Sequence, residues 1–292
     1  ASYHDMAALF GFKPAQEPVQ YRCTLAGEHD NAHCFSHFSS KLNRFFYGEH
    51  PTRKSCYRHE DLMASVHPAR TVYTGNYIFK PEALKYFIPF ATLKLRMAGP
   101  VLGRLIQSEI GGRFVSANLP MLHKRTVRAT GQSEFRPGIA ADTATIDLSG
   151  EFERQFYGDV MLFTIEKLGA MGYPKLSLSN ELIVETLEST HETLLRQYNQ
   201  RRLVIREKPG FLKALIHDRE KWWNQSPAHA EAAHNFQAFT DNIEHNFGDG
   251  SPCYDLINSS SNRAKRHAEI LAAIARHAED GKAWGEMLAR SA

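Results

Sequence analysis

The sequence predicts an α/β first region followed by a helical one, and three observations carry that expectation. Up to about residue 147, short runs rich in β-branched and aromatic residues are punctuated by Gly and Pro, as brief strands and tight turns are. From about residue 148 the apolar residues recur at spacings of three and four, the period of helices with one buried face. Between them, a stretch from 130 to 149 is rich in Gly, Pro, Thr and Asp and long enough to mark a boundary. The predicted regions are therefore 1–147 and 148–292.

Residues 4–10 have helical spacing and stop at Gly11, with Pro14 soon after. Residues 19–25 alternate apolar and polar side chains, as a half-buried strand does. The segment 34–47 carries Phe35, Phe38, Leu42, Phe45 and Phe46 at helical spacing, which predicts an amphipathic helix. Residues 71–79 predict a strand ending before Lys80-Pro81, and Pro81 suits the first turn of a short helix to Phe87. Val101, Leu102, Leu105 and Ile106 give a helix over 100–110 its apolar face, closed by Gly111-Gly112. Short strands are expected at 113–116 and 119–122. Phe152, Phe156, Val160 and Phe163 form the first stripe of the second region, which ends at Gly172-Tyr173-Pro174. Ser179 is the expected N-cap of a long helix through Leu182, Leu187, Leu194, Leu195 and Tyr198. Further helices are expected over 210–223, 228–246, 255–279 and 281–290.

Composition narrows the class. With 42% hydrophobic and 23% charged residues over 292 positions, the chain is globular and can bury a sizeable core. A net charge of +3 is close to neutral and does not call for a nucleic-acid face. Apolar runs such as 160–163 and 182–184 are far too short to cross a bilayer. No signal-like segment opens the chain, so a cytoplasmic protein is expected. Cys23, Cys34, Cys56 and Cys253 lack Cys-x-x-Cys spacing and are expected as free thiols. The chain opens at Ala1 in what already reads as a helix, which points to a fragment or a processed product with upstream motifs out of view.

The richest stretch runs from Thr71 to Thr126. Tyr73-Thr74-Gly75-Asn76-Tyr77-Ile78-Phe79 comes first, then the helix after Gly99-Pro100, then Pro120-Met121-Leu122-His123-Lys124-Arg125-Thr126. In this order the pieces resemble the C-terminal half of a GT-A glycosyltransferase domain, over about a hundred residues from 19 to 127. The resemblance implies a GT-A-like mixed sheet, a nucleotide-diphosphate sugar donor, an acceptor, and Mg²⁺ or Mn²⁺. It puts Gly75 and Asn76 on a turn beside acceptor and donor sugar, and Gly99 in the substrate-binding loop before the helix. It puts His123 at a metal-ligand position, with Lys124 and Arg125 where positive charge meets phosphate oxygens. The chemistry is coherent, because a leaving diphosphate develops negative charge that a cation and basic side chains offset. Two features depart from the pattern. The Asp-x-Asp cation motif expected before residue 19 is not present and is assigned to a missing upstream segment. Where many inverting members carry an acidic pair, this chain has Met97-Ala98-Gly99-Pro100. That leaves the catalytic residue unassigned: a retaining mechanism, a base from elsewhere such as Glu109, or a protein without activity.

Other constellations compete. On a helix, His29, His33 and His37 would stack at intervals of four, and imidazoles so spaced can share zinc. That would make the chain a metal-dependent hydrolase; the plainer reading is a polar histidine face. Glu151, Glu153 and Asp159 could contact an acceptor or complete a site from the second region; the plainer reading is a solvated face, with Gly158 marking close packing or a ligand. Trp222, Trp223, Phe236, Phe239 and Phe247 read as core. Arg201, Arg202, Arg206 and Lys208 read as a basic helix end. The helical tail would shape an acceptor site or mediate self-association into a homo-oligomer, and a non-catalytic helical interaction protein is the third reading.

Overall fold

The computed structural model describes residues 25–47, 59–72, 77–88, 90–119, 140–141 and 145–291. Of these, 72% are helical and 3% lie in strands, which overturns the expected α/β region with its GT-A-like mixed sheet. The strands described form two antiparallel ribbons of two residues each: β1 (His67–Pro68) pairs with β2 (Val115–Ser116), and β3 (Ala140–Ala141) with β4 (Ile146–Asp147). The α-helices described are α1 (Asn31–Ser39), α2 (Ala98–Ile110), α3 (Ser149–Ala170), α4 (Asn180–His217), α5 (Ala230–Phe247), α6 (Pro252–Asn258) and α7 (Ser260–Ser291). None of them is long and apolar enough to cross a membrane.

The missing strands have local causes. Where a strand was expected over 71–79, Val72 sends its N–H to the carbonyl of Gly99 in α2 (3.1 Å). Further on, Tyr77, Phe79 and Phe87 stack on one another, with the Phe79–Phe87 centroids 4.9 Å apart. These rings meet across a 3-10 helix, Pro81–Tyr86, with Tyr77 and Phe79 before it and Phe87 just after it. The strand at 113–116 survives only as β2, while Leu119 turns back to Ala117 (3.1 Å). Residues 4–10, 19–24 and 120–122 lie outside the described residues.

Two compact units divide the chain, and each takes residues from both sides of position 147. One is drawn from Ala1–Ser55, His123–Glu153 and Arg196–Asn258. Its core is aromatic. Phe35 stacks between Trp223 and Phe236 (5.4 and 5.1 Å), and Phe152 meets Tyr198, Phe247 and Tyr254 at 5.2–5.6 Å. Asp30 caps α1 by accepting the His33 N–H (2.9 Å). The α5 helix buries Phe236, Phe239, Ile243 and Phe247 on one stripe. On that same face Asn242 and Asn246 act as a substitute strand edge. Asn242 accepts the Ile146 N–H and Asn246 the Leu148 N–H (2.7 Å each), while the Asn246 amide donates to the Ile146 carbonyl (2.7 Å). The basic cluster lies inside α4, not at a helix end: Arg202 donates to the Gly248 carbonyl just past α5, and Arg206 pairs with Asp249. The Arg202 bond fits its place, because the C-terminal end of a helix leaves carbonyls in need of donors.

The second unit is drawn from Cys56–Leu122, Arg154–Leu195 and Ser259–Ala292. Val160, Met161, Ile165, Leu168, Leu187, Ile270 and Ile274 fill its interior. Gly158 proves to be a packing glycine, since a Cβ there would lie 2.5 Å from the Arg96 carbonyl oxygen. The face expected to be solvated is not: Asp159 is buried and accepts from Gln155 (3.1 Å), and Glu151 and Glu153, which belong to the first unit, are buried as well.

Two predicted helix ends are absent. Ser179 does bond the Leu182 N–H, but α4 continues through Pro209 to His217. Ile205 and Pro209, one turn apart, are both buried, so packing outweighs the bond that proline cannot make. Likewise α7 passes through Gly281, where a Cβ would lie 3.0 Å from Ile88 Cδ1.

Candidate functional site

The site is built in the second unit where the segment 69–72 lies along α2. Sequence explains the approach. Gly99 and Gly103, one turn apart, strip one face of the helix to its backbone, and a bare face admits a neighbouring chain at close range. A Cβ at Gly103 would sit 2.5 Å from the Arg70 carbonyl oxygen and 2.6 Å from Thr71 Cα, and one at Gly99 would collide with the Val72 carbonyl. Ala69 is fixed from the other side by its bond to the Phe114 carbonyl (2.9 Å). Before the helix, Met97 holds a left-handed φ of 65°.

Around this junction three charged side chains meet. Glu166, on α3, accepts Arg70 Nη2 at 2.6 Å and Arg104 Nε at 2.9 Å, one oxygen to each. Arg104 also donates to the Arg70 carbonyl, so side chain and segment are locked together. The Arg104 side chain is 13% exposed and that of Arg70 58%, so one guanidinium anchors and the other faces solvent. Two guanidiniums against one carboxylate leave a net positive charge. They line a cleft of about 220 Å³ together with Gln107, Ser108 and Gly169. A Cβ at Gly169 would sit 2.8 Å from Ser108 Oγ, so this glycine keeps room for the serine.

A second cavity in this unit, of about 310 Å³, is lined by Lys85, Ile88, Ile106, Glu109 and His277. Glu109 therefore stands at the far end of α2 from Gly99, ten residues or about 15 Å along the axis.

Of the residues singled out by the sequence, Gly99 lies at the junction just described, packed on Val72. Gly75, Asn76, His123, Lys124 and Arg125 lie outside the described residues. The histidine face does not assemble. Asp30 caps α1, so the helix starts after His29, whose ring instead meets the Gly27 carbonyl (2.7 Å), while His33 turns to Asp30 (2.7 Å). No group of three His, Cys, Asp or Glu side chains that could hold a metal ion occurs among the described residues. Of the cysteines, Cys34 is half-buried and Cys253 buried, and both are free thiols. Burial holds the Cys253 thiol well above its ordinary range, which makes it a poor nucleophile.

Arg70, Arg104 and Glu166 were not found by sequence reasoning. The signal that could have found the place is the Gly99-x-x-x-Gly103 spacing inside an apolar helix, with an arginine directly after it. No family model matches the chain, and neither a curated protein nor a solved structure matches it significantly.

Proposed function

We propose that this chain transfers a sugar from a nucleotide-diphosphate donor to an acceptor, a hexosyltransferase-type reaction carried on a helical scaffold. One observation supports the reading above the others: the Val72 N–H bonds to the Gly99 carbonyl (3.1 Å). That bond joins two of the three segments whose order resembles the glycosyltransferase pattern, one leading into Tyr73-Thr74-Gly75-Asn76 and one beginning the helix. In this reading Asn76 offers both a donor and an acceptor to sugar hydroxyls. Lys124 and Arg125 meet the diphosphate, and His123 serves Mg²⁺ or Mn²⁺.

A thermal-shift screen of the chain against UDP-, GDP- and ADP-sugars, with and without Mn²⁺, tests the proposal. A metal-dependent shift with one donor, reduced in His123→Ala, supports it and names the nucleotide. No shift with any donor refutes it. A non-catalytic helical interaction protein would then stand, a reading favoured by the 72% helix content.

A further inference from the structure

We propose that the cleft between Arg70 and Arg104 is an anion site that takes a diphosphate group. For the source of that group, the nucleotide donor, the inference rests on the transferase reading; for the chemistry of the cleft it does not.

Charge comes first. Glu166 offsets one guanidinium and leaves the other's charge in place, beside a cleft of about 220 Å³. A triad of two cations and one anion keeps a net charge of +1, which attracts a second anion. Arginine suits the task, because its planar fork meets phosphate oxygens in pairs. Among the described residues Arg70 makes one side-chain bond, to Glu166, and Arg104 two, to Glu166 and the Arg70 carbonyl. Further guanidinium N–H groups remain for a ligand. Neutral donors are at hand as well: the Gln107 amide lines the same cleft and makes no side-chain hydrogen bond among the described residues.

Position is fixed before any ligand arrives. Arg104 is locked by its two partners, and Gly103 seats the Arg70 backbone directly on α2. A site held in place in this way loses little side-chain freedom on binding.

Isothermal titration of the whole chain with inorganic pyrophosphate at low salt tests the site. Three variants run alongside: Arg70→Met, Glu166→Gln, and Arg276→Met as an exposed control that pairs with Asp280. Arg70 is exposed enough for its loss to leave the fold intact, and glutamine keeps a hydrogen bond to the arginines. Wild type should bind, Arg70→Met should bind about tenfold more weakly, and Glu166→Gln should bind several-fold more tightly. Affinity in wild type should fall steeply with salt. Absence of pyrophosphate binding, or equal binding by Arg70→Met and Arg276→Met, overturns the site even if a nucleotide sugar binds elsewhere. Pyrophosphate binding with this pattern, but no response to any nucleotide sugar, upholds the site and sinks the transferase reading.

Discussion

Acid should unfold this protein through a buried pair of imidazoles, by an amount the structure allows one to work out. His191 on α4 is fully buried, and its Nδ1 lies 3.1 Å from Nε2 of His267 on α7. Phe156 and Tyr157 close around its ring at 5.2 and 5.8 Å, and its Nε2 has no hydrogen-bond partner among the described residues. Burial, then His267 and Arg263, pushes the His191 pKa down to about 4, while Glu192 pulls weakly the other way. Below its ordinary value of about 6.5 the unfolded chain therefore takes a proton that the folded chain refuses, so stability falls with pH across that interval and is level above it. The linkage amounts to about 2 kcal/mol by pH 5 and about 3 kcal/mol by pH 4. His267 and His277, both held low mainly by burial, add in the same direction. Urea unfolding followed by circular dichroism from pH 7.5 to 4.5 measures the slope, in wild type and in His191→Phe, whose ring suits the aromatic slot. Carboxylate titrations are common to both and cancel in the difference. Wild type should lose about 2 kcal/mol more than the variant by pH 5. Equal slopes would refute the argument, because they would mean that His191 titrates alike in both states.

Glycines make a paired test. Gly103→Ala and Gly158→Ala must each move a backbone carbonyl now 2.5 Å from the new methyl, and each should cost about 2 kcal/mol by thermal or urea unfolding. Gly210→Ala meets nothing within 4 Å and sits inside α4, so it should instead stabilise by about 0.5–1 kcal/mol in the same assay. Asn246→Leu strands the buried Leu148 N–H and Ile146 carbonyl together and should cost about 3 kcal/mol, with amide exchange speeding up first at Leu148.

What the sequence revealed and what it hid divides along the range of the interactions. The α2 helix was legible because Val101, Leu105 and Ile106 mark its buried face within a few residues. The aromatic core at Phe35 and Trp223 was legible for the same reason. Strands were misread because β-branched and aromatic runs state a preference for extended chain but name no pairing partner. Tyr77 and Phe79 found rings instead, and Val72 found a helix. Breaks at Pro209 and Gly281 were misread because local cost was weighed without the packing that outweighs it. Of the charged cluster only the Gly99-x-x-x-Gly103-Arg104 run leaves a local trace; its pairing does not, since Arg70 and Glu166 stand 96 residues apart and Arg104 and Glu166 stand 62 apart. The buried asparagines of α5 were hidden likewise, since their partners lie about a hundred residues earlier.

The same contrast bears on how a transfer site could exist without a sheet. In a parallel or mixed sheet, strands bring loop ends together by backbone pairing along an edge. Here a two-glycine face of α2 does that work: Gly99 and Gly103 let the Arg70–Val72 backbone lie on the helix itself. The cost is that nothing larger than glycine fits at either position, and the gain is that Arg104, one residue beyond Gly103, is carried to the same junction. A single helix thus fixes the chain that leads into Gly75-Asn76 and supplies the most buried positive charge of the cluster. The junction and the anion site are consequently one construction, and a change at Gly103 should disturb both, whereas a change at Arg70 should disturb only the charge.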